Sequence, residues 1–324
     1  LMRILNLLKQ FFWLRKSLHK INGFISINME YFKTPEAFDQ YAIKEKNASR
    51  SKEYFQLSAL LVFKIAEMFD MNVEKQTLLN LVYLSILAPF FDDQFDHNSK
   101  NIADLILQIE SPNYGKDKNH ELAFSSSIYK KLLLGIPNKD KFIALARKMF
   151  QIQQESCYQK CIEVSDNELY EICIEKGGVA CELYWSTTSE DNNIAYNITY
   201  SLGGLLQMLD DLLDVYDDLN EGIKTYANQV SFDHFLKVVS AKYVETKDLL
   251  KQVPCEGKSK AEYQDLLGIL YSAFFVIIKH YKKIRCEEIN KPSRLLQCKR
   301  EEVIFDMENP KNLLNFIKEY HKRK

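Results

Sequence analysis

Leu205–Asp218 reads LLQMLDDLLDVYDD. The stretch ends a long apolar segment that the spacing predicts as a helix from Ile194 to about Tyr216. Asp210, Asp211 and Asp214 stand on it at D-D-x-x-D spacing. Aspartate is a poor residue for a helix interior and is costly beside an apolar wall. A solvated acidic helix end accounts for one such cluster, so the rest of the chain decides whether this one is more.

Outward from it the sequence is helical. Tyr54 to Phe69 carries Phe55, Leu57, Leu60, Leu61, Phe63, Ile65 and Phe69 at helical steps, a buried helix face. Leu78 to Phe91 is apolar nearly throughout, which predicts a central helix in which Pro89 makes a kink. Further helices are expected from about Lys139 to Ile162, from Ser165 or Asp166 with acidic residues in the first turn, from Phe232 to Val253, from Glu262 to Ile289 and from Leu313 to His321. SPNYGKDKNHE (Ser111 to Glu121) and NEGIKTYANQVS (Asn220 to Ser231) read as loops. The 324 residues include only 10 Gly and 7 Pro, roughly half of average usage. So few turn formers fit long helices joined by few loops. No strand-rich region, repeat or linker interrupts the pattern, and the expected fold is all-α, a single large helical bundle spanning residues 1–324.

A second stretch repeats the acidic spacing. FFDDQFDHNSK closes the apolar segment at Phe90, with Asp92, Asp93 and Asp96 again at D-D-x-x-D. The chain holds 19 Asp, so independent placement gives one such pattern in roughly 7% of chains of this length and two far less often. Residues i and i+4 share a helix face, so Asp92 pairs with Asp96 and Asp210 with Asp214. Carboxylates brought together on facing helices repel unless cations intervene. Hard oxygen ligands suit Mg²⁺, which takes one or two carboxylates, keeps water and completes its shell with phosphate.

These features resemble the class I isoprenoid synthases, which include trans-prenyl diphosphate synthases and class I terpene cyclases. FFDDQFD resembles the first aspartate-rich motif of that family, and LLQMLDDLLDVYDD the second, including Gln207 before it. YEICIEKGGVACELYW resembles the intervening helix whose lysine contacts diphosphate, which points to Lys176, and NEGIKT the following loop, which points to Lys224. The resemblance covers roughly residues 45 to 230. It implies a bundle around a central apolar cavity, a prenyl diphosphate substrate, Mg²⁺ as cofactor (three ions) and a homodimer as the common assembly. Lysine is a suitable point charge for phosphate, although either residue also reads as a solvated surface lysine.

The reaction within that family is divided by what is missing. Elongation needs a second, basic site for isopentenyl diphosphate. NASRSKEYF matches its upstream motif only at Arg50 and Lys52, without the glycines; no His precedes Asp92 in its helix; and HNSKNIADL supplies Lys100 but no arginine pair. That favours ionisation of a single prenyl diphosphate followed by cyclisation. Against it, Asp214 and Asp218 stand where microbial cyclases carry Ser and Glu, so prenyl transfer stays as the alternative and a non-catalytic helical scaffold or regulatory subunit as a lower one. Leu87 and Ala88, where bulky aromatics shorten the product in the synthases, imply a C15 or longer substrate. Aromatic faces stabilise a migrating cation. Phe91, Phe95, Tyr184, Trp185, Tyr196 and Tyr200 are the candidates, each with core packing as the alternative. Gly203 leaves room either for substrate or for a neighbouring helix.

The remaining signals limit partners. A formal net charge of −1 gives no nucleic-acid footprint. Seven Cys, an odd number without an evident signal peptide, fit reduced thiols in a cytoplasmic protein. Cys157 and Cys161 lie at i, i+4, but no His accompanies them at zinc-ligand spacing. Residues 1–24 read as a basic amphipathic helix too interrupted by charge to span a bilayer, packed on the body in preference to a membrane surface. The basic tail KEYHKRK reads as a frayed end in preference to part of a lid.

Overall fold

A computed structural model of the chain describes residues 45–97, 104, 107, 109, 111, 120–160, 163–189, 191–254, 258–284, 290–305 and 309–323. The amphipathic segment 1–24, most of the loop at 111–121, Lys100, Cys161, Cys255 and Cys286 lie outside the described residues. Every regular element among the described residues is a helix, and none is a strand. The fold is all-α. The chain divides into two compact units: residues up to Phe150 with Glu182–Asn192, and Gln151–Cys181 with Asn193 onward.

The first unit holds α1 (Glu45–Met68), α2 (Lys75–His97), α3 (His120–Gly135) and most of α4 (Lys139–Ser156). Helix α1 buries Phe55, Ala59, Val62 and Ala66, one face at three- and four-residue steps, and packs on α2. Helix α2 buries Leu81, Val82, Leu84, Ile86 and Leu87 and packs on α3 as well, as an element apolar on most sides must. Asp70, at φ +53°, turns the chain between α1 and α2 in the left-handed region that Asp tolerates better than most residues. Pro89 sits inside α2, and the helix continues past it to His97. A proline removes one backbone donor and crowds the preceding turn; a helix buried on two sides is held together by its packing.

The second unit is built on α5 (Asp166–Trp185, as far as Cys181) and α6 (Asn193–Leu213). It continues through α7 (Val215–Glu221), the single turn α8 (Tyr226–Gln229), α9 (Phe232–Lys251), α10 (Lys258–Tyr281), the short α11 (Arg300–Val303) and α12 (Pro310–Arg323). Helix α6 packs on α8, α9 and α10, and a buried hydrogen bond of 2.8 Å between the Ser201 and Thr246 hydroxyls ties it to α9. Ser259–Tyr281 is long and apolar enough to cross a bilayer; here it packs on α9 and α12.

Several boundaries differ from the sequence reading. The helix from Asn193 ends at Leu213, not Tyr216, and α4 gives way at Ser156 to a 3₁₀ turn, Cys157–Lys160. The Asn228 side chain accepts from the Thr225 backbone N–H at 3.0 Å and closes one helical turn in a stretch expected as loop. The basic terminus is not frayed as far as Arg323. The Arg323 guanidinium pairs with Glu319 at 2.6 Å and stacks over the Phe275 ring, and Phe316 and Tyr320 are buried beneath. A cation in the last turn also complements the helix dipole.

Candidate functional site

In the first unit, the acidic motif is the C-terminal end of α2. Asp92 and Asp93 are both partly exposed, and Arg50 of α1 reaches the two of them. Its Nη1 donates to Asp93 Oδ1 at 2.6 Å, and its Nη2 lies 3.7 Å from Asp92 Oδ2. Tyr54, one turn along from Arg50, donates its hydroxyl to Asp92 Oδ2 at 3.0 Å. Burial works to lower the Arg50 pKa, but the hydrogen bond and charge of Asp93 carry it above the ordinary value. Burial, then the charge of Asp92, pushes the Tyr54 phenol well up, so it stays protonated and donates. Asp96 lies in the helical backbone of α2, and its side chain is outside the described residues.

The aromatic candidates of this unit are packed. The rings of Phe91 and Phe95 meet Phe150 of α4 edge-on, with centroids 5.0 and 5.2 Å away, and Phe95 is buried. Tyr184 and Trp185 are buried at the end of α5. The Trp185 indole N–H finds no acceptor among the described residues.

In the second unit, Asp210 and Asp211 end α6, and Asp214 stands at the break before α7. Helical hydrogen bonding carries across that break: Asp214 N donates to Asp210 O at 3.0 Å, and Asp218 N to Asp214 O at 2.9 Å. Asp210, Asp214 and Asp218 therefore lie at successive i, i+4 positions on one face. Gln207 donates through Nε2 to Asp210 Oδ2 at 3.2 Å and Asp211 Oδ1 at 2.8 Å. From α5, the Cys173 thiol bonds Asp211, and the Lys176 ammonium acts on both Asp210 and Asp211.

The charges in this cluster are poorly balanced. Burial raises the carboxyls of Asp210 and Asp211 against the opposing pull of Lys176 and Gln207. Burial and then the neighbouring Asp210 and Asp217 raise Asp214 to about 6; burial and then Asp211 and Asp214 raise Asp218 to about 7. Asp210 and Asp214 are exposed as whole residues, yet burial raises their carboxyls. Arg300 of α11 is taken by Asp217, with two contacts of 2.7 Å that hold the Asp217 carboxyl below its usual value.

Close packing of α5 on α6 fixes this geometry. A Cβ at Gly177 would lie 2.2 Å from the Gly203 carbonyl oxygen, and one at Gly203 2.2 Å from that of Gly177. Of the two readings of Gly203, the structure has the helix contact: the Gly177 backbone fills the space beside it. Tyr200 lies over Gly178, whose Cβ would come 2.5 Å from the ring, and Tyr196 is buried. Lys224 follows the left-handed Gly222 at the end of α7, and its backbone N–H bonds Gln159 O at 2.8 Å.

The second unit therefore joins Lys176, Gln207, Asp210, Asp211 and Asp214, and the first joins Asp92 and Asp93. Sequence reasoning missed four participants as site residues. Asp218 repeats the i, i+4 step and was legible by spacing. Cys173 precedes Lys176 by three residues, a signal only in hindsight of the helix. Arg50, singled out in the sequence only against a basic substrate motif, and Tyr54 act across 43 and 38 residues of chain, and nothing local announces their contact with the acidic motif.

The donor sets fit a hard divalent cation. All are carboxylate oxygens, and in the first cluster a guanidinium already stands as a cation on two of them. Among the described residues no three His, Cys, Asp or Glu side chains form a group that alone could hold an ion. An ion here would need water or phosphate in its shell, as Mg²⁺ commonly has. Compared with known proteins, the chain matches no family model and no curated protein.

Proposed function

We propose that the chain is a Mg²⁺-dependent isoprenoid synthase that ionises one linear prenyl diphosphate, C15 or C20, and cyclises the allylic cation. The observation that carries this reading is the crowding of Asp210, Asp211, Asp214 and Asp218, with Lys176 acting on the first two. Four carboxyls with one lysine form a site that gains from a divalent cation and a polyanion together. Mg²⁺, held there by the carboxylates, would supply Lewis-acid stabilisation of the leaving diphosphate. Lys176 contributes a positive point charge, and Gln207 orients Asp210 and Asp211. The C–O bond breaks with its electron pair leaving on diphosphate; ring closure and loss of a proton then complete a hydrocarbon.

The test is incubation with C10, C15 and C20 prenyl diphosphates and Mg²⁺, without isopentenyl diphosphate. The expected result is released diphosphate and an extractable hydrocarbon or alcohol, with turnover reduced on the order of 10²-fold in Asp214→Asn. No diphosphate release from any of the three substrates overturns the reading. Prenyl transfer is the second reading, favoured by aspartate at both 214 and 218. Incorporation of labelled isopentenyl diphosphate would select it over cyclisation.

A further inference from the structure

The two acidic clusters differ in what neutralises them. In the second, Lys176 acts on Asp210 and Asp211, while Asp214 and Asp218 answer mainly to burial and to neighbouring carboxyls. In the first, Asp92 and Asp93 already carry an arginine: Arg50 Nη1 is 2.6 Å from Asp93 Oδ1 and Nη2 is 3.7 Å from Asp92 Oδ2. The pair is anchored from α1. Arg50 and Tyr54 project from one turn of α1, which packs along α2, and Tyr54 holds Asp92 in place through its 3.0 Å hydrogen bond.

We propose that Arg50 is the resident counter-cation of the first cluster and competes with a divalent ion for Asp92 and Asp93. This rests on the reading that those carboxylates take such an ion. A guanidinium and a divalent ion cannot use the same oxygen lone pairs. Mg²⁺ requires its oxygens at about 2.0–2.1 Å in near-octahedral array, whereas the arginine contact holds Asp93 Oδ1 at hydrogen-bond length in the direction of Nη1. Loading the first cluster through Asp93 Oδ1 therefore requires Arg50 to swing off. Until then its charge also repels an incoming cation. Arg50 is a positioning residue that sets the ion concentration at which the first cluster fills, and Tyr54 keeps Asp92 oriented through the exchange.

The experiment isolates the first cluster. In the full chain carrying Asp210→Asn, Asp211→Asn, Asp214→Asn and Asp218→Asn, Mn²⁺ binding is measured by titration calorimetry and by the loss of the free-ion electron paramagnetic resonance signal. Three versions are compared: Arg50 retained, Arg50→Gln and Arg50→Lys. Arg50→Gln is expected to bind Mn²⁺ about tenfold or more tightly than the Arg50 parent, because one repelling charge and one competing donor are gone. Arg50→Lys keeps the charge but not the two-pronged contact and is expected between them. It also serves if Arg50→Gln folds poorly. Equal or weaker Mn²⁺ binding without the arginine overturns the competition while leaving the cluster an ion site. Absence of Mn²⁺ binding in all three overturns the ion reading of Asp92 and Asp93, and the competition with it.

Discussion

A carboxyl group buried among other carboxyls keeps its proton to higher pH than one in water. Asp214 and Asp218, raised to about 6 and about 7, are such groups. The sign of the stability effect follows. Between the unfolded value near 4 and the folded values, the folded state binds more protons than the unfolded state, so stability falls as pH rises from about 4 to 7. In chelator, the thermal midpoint should therefore be higher at pH 5 than at pH 7.5. Asp218→Asn should flatten that slope and raise the midpoint at pH 7.5. A midpoint in Asp218→Asn equal to or below the parent at pH 7.5 would contradict the repulsion. Which carboxyls belong together was legible from spacing alone, because helical geometry maps i, i+4 onto one face. What balances them was not. Arg50 reaches Asp93 only because two helices pack side by side, and no local pattern encodes that distance.

At the scale of the helix, the least forgiving contact is the approach of α5 to α6. Gly177 and Gly203 face each other's backbone, where a Cβ would come within 2.2 Å of a carbonyl oxygen. Backbone has no rotamer to retreat into, so the helices must separate. Gly203→Ala should cost about 1–3 kcal/mol or more, read as a lower denaturant midpoint. It should also loosen the site, because the same contact registers Cys173 and Lys176 against Asp211. Gly222→Ala is the contrasting variant. Nothing lies within 4 Å of its Cβ, but φ is +69°, so only the left-handed backbone penalty of roughly 1 kcal/mol applies. A smaller loss at Gly203 than at Gly222 would refute the close-packing account. Helix existence was legible because apolar periodicity is strong in these segments. Helix ends were less so: the break after Leu213 leaves the i, i+4 hydrogen bonds at Asp214 and Asp218 intact, so it carries no signal in the residue pattern.

For the molecule as a whole, scarcity of Gly and Pro and the absence of strand patterning were enough for the all-α class. The division into two compact units was not legible, because two of its boundaries fall inside helices: after Phe150 in α4 and after Cys181 in α5. No loop-forming composition marks either point. The formal net charge of −1 likewise hides five aspartates within residues 210–218. On the proposed reading, such local charge would make the whole molecule's stability depend on Mg²⁺ and diphosphate. A ligand that binds only the folded state stabilises it by RT ln(1 + [L]/Kd), about 2.7 kcal/mol at a hundredfold excess over Kd. For a chain of this size that is a rise of several degrees in thermal midpoint. Mg²⁺ with inorganic pyrophosphate should raise the midpoint more than either alone, because the carboxylates accept the polyanion only through the ion. The rise should be larger at pH 7.5 than at pH 5, where protons on Asp214 and Asp218 would compete with the proposed ion. Asp214→Asn should remove most of it. A rise of equal size with pyrophosphate alone, or one indifferent to Asp214→Asn, would mean that lysines alone hold the anion and that the acidic cluster of α6 and α7 serves something other than a metal.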